Sequence, residues 1–139
     1  MKKLTSLLLC LVVLCAVGTA FARAQSEIDA INALLLVLRG QIEETDGLTI
    51  LAAYDEKNDI VVYNTTIETV SAADASLVFY PDSESYSSVL KSSQSLYESM
   101  RVLPDSIDSD VSVSVSISSN EGKLIFAYVD GRDVTAFLD

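Results

Sequence analysis

The stretch Asp110–Ser119, DVSVSVSISS, alternates an aliphatic residue with serine for four periods. Strict period-two alternation belongs to a β-strand, because successive side chains leave a strand on opposite faces. No helix keeps Val111, Val113, Val115 and Ile117 on one side, so the chain is committed to a sheet with one aliphatic and one serine-lined face. Ser119-Asn120-Glu121-Gly122 supplies a turn and Lys123–Val129 a return strand, completing a hairpin. Asp130-Gly131 ends that strand, and Val134–Leu138 is expected to add a short tail strand.

A second hairpin is written upstream. Leu48–Tyr54 and Ile60–Thr65 are rich in β-formers, and the polar run Asp55–Asp59 separates them. Each hairpin follows an amphipathic segment. In Ser26–Glu44 the residues Ile28, Ile31, Leu35, Leu38 and Ile42 make one apolar stripe at helical spacing, with Ser26 as the expected N-cap, Asp29 three residues on and Gly47 as a stop. In Asp82–Val102 the stripe is Tyr86, Val89, Leu90, Leu96, Tyr97 and Met100. Pro81 stands at its expected first turn and Pro104 at its end. Ser71 and Asp74 make a capping pair that favours a short helix over Ser71–Tyr80, with a strand over Leu77–Tyr80 as the alternative. The order predicts an α+β domain, αββαββ, with a single antiparallel four-stranded sheet and helices packed on one face. The valines then face the helices, and Ser112, Ser114, Ser116 and Ser118 face away.

Residues 1–24 have a different character. Met1-Lys2-Lys3 is a short basic start, Leu4–Ala20 is apolar, and AFARA follows with small residues at A-x-A spacing. This is the three-part pattern of a secretory signal peptide, and the apolar run is shorter than the ~20 residues of a membrane-spanning helix. Two frames fit, Ala20-Phe21-Ala22 and Ala22-Arg23-Ala24. Cleavage after Ala24 is the expectation, leaving residues 25–139 as one domain, periplasmic or extracellular. Beyond residue 24 the chain has 6 basic and 20 acidic residues, a net charge of about −14, and neither cysteine nor histidine. Packing without disulfides must therefore hold it in an oxidising compartment.

The element order, the terminal DVSVSVSISSNEGKLIFAYV hairpin and the leader together resemble a family of small exported bacterial domains of unknown function, often lipoproteins in Gram-positive species. The chain departs from that pattern in lacking a lipid-bearing cysteine at the leader boundary, since Cys10 follows Leu9 and Cys15 follows Leu14. The resemblance implies a fold and an exported location, and no activity.

Chemistry is sparse. Without histidine, and with both cysteines in the leader, nucleophilic triads and the commonest zinc, copper and haem ligands are missing. The five glycines are isolated and make no phosphate loop. The acidic balance disfavours nucleic acid and anionic membranes as partners. Asp105, Asp108 and Asp110, and separately Asp55, Glu56 and Asp59, supply oxygen ligands of the kind calcium takes, but neither group has EF-hand spacing. Asn64-Thr65-Thr66 matches a glycosylation sequon. No catalytic residue, metal or cofactor is expected.

What remains is surface. Leu36 and Val37 fall on the side of the first helix shared with Asp29, Glu43 and Glu44, outside its apolar stripe. The serine row 112, 114, 116 and 118 is small and uncharged enough for another sheet or an extended peptide to approach closely. These six residues mark a non-enzymatic module that binds another protein or a second copy of itself. The alternative is a small-ligand carrier or minor hydrolase with a pocket between the sheet and the second long helix, lined by Tyr86, Tyr97 and Phe79.

Overall fold

A computed structural model describes residues 23–138; residues 1–22 of the expected leader (1–24), and Asp139, lie outside the described residues. Helix α1 spans Gln25–Gln41, strands β1 and β2 span Leu48–Asp55 and Ile60–Ile67, and helices α2 and α3 span Ala72–Val78 and Glu84–Asp105. Strands β3 and β4 follow at Ser112–Ser119 and Leu124–Val129, with a two-residue β5 at Arg132–Asp133. The fold is α+β.

The helices form where their apolar spacing predicts, and their ends show which local signals win. Ser71 caps α2, its hydroxyl oxygen accepting from the Asp74 amide at 3.1 Å. Ser83 caps α3 in the same way through the Tyr86 amide. Pro81 therefore precedes α3 instead of opening it, and Pro104 lies inside the last turn. Helix α1 starts earlier than Ser26: Ala24 is its N-cap, with no side-chain cap, and its carbonyl accepts from the amides of Glu27 and Ile28.

The sheet has the order β1-β2-β3-β4-β5. Both hairpins are antiparallel, but β2 and β3 run parallel in register from Ile60 opposite Ser112 to Ile67 opposite Ser119. The expected all-antiparallel, four-stranded sheet is thus corrected to a mixed, five-stranded one. The reason lies in the connection: two adjacent strands joined by a long helical crossover start from the same end of the sheet, whereas a tight turn reverses the chain. The tail also differs from expectation. Thr135–Phe137 is a 3₁₀ turn, and the added strand is the short β5 before it.

One face of the sheet is covered by α1, which packs on β1, and by α3, which packs on β3 and β4. Ile31 and Leu35 of α1 and Met100 of α3 meet Ala52, Val61, Val111 and Val113 there. Further along, Val115, Phe126 and Tyr128 pack against Tyr86, Val89, Leu90, Leu96 and Tyr97. On the opposite face Ile60, Ala127 and Val129 are buried with Val134, while Leu138 packs against them from the tail. The serines of β3 lie on this second face, away from the helices.

Candidate binding surface

The residues marked by the sequence are placed in two separate regions. Leu36 and Val37 project from α1, whose inner stripe is buried, and remain 68% and 61% exposed. Arg39 in the last turn of α1 donates from Nε to the Ala52 carbonyl at 2.6 Å, fastening the helix to the edge strand β1. Leu48 and Leu51 of that strand are exposed as well.

The serine row is on the other face and is not open. Ser114, Ser116 and Ser118 are only 2–5% exposed, and Ser112 is half-buried. A serine in a central strand is short beside its cross-strand neighbours, here Val62 and Val129 for Ser114, Asn64 and Ala127 for Ser116, and Thr66 and Leu124 for Ser118. Buried hydroxyls require partners. Asn64 Oδ1 accepts from both Ser116 and Ser118, at 2.8 and 3.0 Å. Asn64, read from the sequence as a sequon residue, is thereby an acceptor within the sheet. The row is a lattice of inter-strand contacts more than a platform.

The aromatic residues are similarly occupied. Tyr86 meets Phe126, and Tyr97 meets Tyr128, edge to face with centroids 5.7 and 5.5 Å apart. Tyr86 also donates its hydroxyl to Asp133, while burial and that carboxylate raise its pKa above the ordinary tyrosine value. Phe79 is half-buried at the C-cap of α2.

A charged constellation unites residues that the sequence keeps apart. Arg23 places Nε and one Nη against the two carboxylate oxygens of Asp59, both at 2.6 Å, a bidentate pair. Its other Nη reaches Glu27 at 2.5 Å and Asp110 at 2.9 Å. Tyr54 donates its hydroxyl to Asp59 Oδ1, and Ser109 donates to Glu27. The start of α1, the turn of the first hairpin and the approach to β3 are thereby joined through one guanidinium. The Arg23 hydrogen bonds hold the Asp59 carboxyl below its ordinary range, against a smaller opposing effect of burial. Burial, followed by the hydrogen bond to Asp59, pushes the Tyr54 hydroxyl up.

Four of the six acids weighed as calcium ligands have other partners. Asp55 accepts from the backbone and side-chain nitrogens of Asn58 within its turn, and Asp105 pairs with Arg101. Asp59 and Asp110 converge on Arg23. Among the described residues no group of three or more His, Cys, Asp or Glu side chains is placed to hold a metal ion. An open groove of about 400 Å³ runs between the end of α1 and β1, rimmed by Glu43, Glu44, Asp46 and Glu68. No helix among the described residues is long and apolar enough to cross a membrane. Sequence reasoning missed Arg23, because it stands among the alanines of the expected cleavage region, and a lone arginine there carries no signal of its distant partners.

Comparison with protein-family models, with curated proteins and with solved structures finds no match.

Proposed function

We propose that the chain is an exported, non-enzymatic binding or assembly module acting through its α1–β1 side, with a second copy of itself as the occupant. The observation that carries this is the exposure of Leu36 and Val37 on a helix whose core-facing stripe is already satisfied. Solvated leucine and valine side chains gain free energy on burial, at about 25 cal/mol per Å² of apolar area. The helix lies along an edge strand whose Leu48, on the same face as the helix, is also exposed, and an edge strand offers backbone groups to an incoming strand. The acidic composition supports a protein partner over nucleic acid or an anionic membrane.

Sedimentation of the leader-free protein tests this reading. The wild type should form a dimer or larger species, and the double variant Leu36→Glu, Val37→Glu should be a monomer with an unchanged circular dichroism spectrum. A wild type that stays monomeric as its concentration is raised would remove self-association.

A further inference from the structure

We infer that the exported chain is cut between Ala22 and Arg23, not after Ala24, so that Arg23 is the first residue of the working protein and its internal counter-ion. This rests on the export reading above. Both frames, Ala20-Phe21-Ala22 and Ala22-Arg23-Ala24, present small residues at the spacing that a leader peptidase requires. Sequence cannot separate them; the folded structure can, by what each cut would remove.

Arg23 is built into the domain. Its side chain is 11% exposed, while the side chains of Asp59 and Glu27 are 17% and 29% exposed. A cut after Ala24 would leave those two acids and Asp110 facing one another without the cation they surround, a like-charge arrangement that disfavours the folded state. Among the described residues Asp59 then keeps Tyr54 as a hydroxyl donor, and Glu27 keeps Ser109.

A second observation, independent of the side chain, points the same way. The Ala24 carbonyl accepts the first bonds of α1, from Glu27 at 3.0 Å and Ile28 at 3.1 Å. Cutting after Ala24 removes that carbonyl from the domain. It also places a new α-ammonium on Gln25, the first residue of α1, where the helix dipole is already positive. A cut after Ala22 keeps the N-cap residue and moves the ammonium two residues further from the helix. In that hydrolysis the oxygen of one water joins the Ala22 carbonyl carbon to give a carboxylate, and the Arg23 nitrogen leaves as the protonated amine. The enzyme required is a leader peptidase, and no oxidant or reductant takes part.

The experiment is export of the full chain from a bacterial host, followed by N-terminal sequencing and intact mass of the released protein. The expected first residue is Arg23. A product beginning at Gln25 would overturn the inference and leave export standing, whereas a chain that retains Met1 would remove both. Two variants sharpen the result. Ala24→Lys spoils only the later frame and should be processed at the same bond as wild type; a block in processing would count against the assignment. Arg23→Gln should lower the melting temperature of the exported product by several degrees, with Arg23→Lys recovering part of the loss. No change on Arg23→Gln would remove the physical reason for retaining the arginine.

Discussion

Strands β1 and β3 are each eight residues long, each follows a helix and each opens a hairpin, but β1 has one strand neighbour and β3 has two. The consequence inverts hydropathy. Leu51 of β1 is 56% exposed while Ser114 of β3 is 2% exposed. Position in the sheet decides burial here, and side-chain chemistry adjusts to it. A central strand flanked on both sides excludes water even from its small polar residues, provided their hydroxyls find acceptors; an edge strand leaves a leucine wet. Both halves supply the core, but the second encloses even its small polar residues, while the edge of the first offers surface.

The largest expected effect separates those halves by truncation. Phe126 is 1% exposed on β4, opposite Ile117 of β3. Phe126→Ala should cost about 3–5 kcal/mol of unfolding free energy in denaturant titrations. Leu51→Ala should stay within about 0.5 kcal/mol. Equal losses at the two sites would break the contrast.

An intermediate effect concerns the seam between the halves. Asn64→Ala removes the acceptor shared by the Ser116 and Ser118 hydroxyls and should cost about 1–3 kcal/mol, the range for leaving buried donors unpaired. Asn64→Ala combined with Ser116→Ala and Ser118→Ala should recover part of that loss. If the triple variant is no better than the single one, the hydroxyl network is not what the seam depends on.

The smallest effect is a pH dependence at the turn of the first hairpin. The Asp59 carboxyl is held below its ordinary value near 3.8, so its contribution to stability is present above that value and drains away as pH falls through the lower, folded-state pKa. Tyr54 behaves oppositely. Its pKa is raised above the ordinary 10.0, so its contribution is intact below pH 10 and is lost as higher pH ionises the unfolded chain first. Melting temperatures across pH should show Asp59→Asn flattening the acid limb and Tyr54→Phe the alkaline limb. Unaltered limbs in both variants would place the pH response elsewhere.

Much of the architecture was readable because it depends on local periodicity. The stripe Ile28, Ile31, Leu35 and the stripe from Tyr86 to Met100 pack on the sheet as their spacing requires, and the Ser71/Asp74 pair caps a helix as its chemistry requires. The parallel pairing of β2 with β3 was less readable, since it depends on which strand edges meet after a long crossover and no periodicity encodes that. The candidate surface divides in the same way. Leu36 and Val37 were legible as residues beyond the stripe; the enclosure of the serines was not, because besides the neighbouring β4 it needs β2, more than forty positions away in sequence, through Asn64.

The sequence by itself determined the hairpins, the helix faces and which face of β3 carries serine, because each follows from side-chain spacing along a few turns or pleats. Only the tertiary structure decided that those serines are enclosed, that β2 and β3 run parallel, and that Arg23, Glu27, Asp59 and Asp110 form one ion cluster. The physical reason is range: periodicity acts between neighbours in the chain, while burial and charge pairing act between whichever residues the fold brings within a few ångströms.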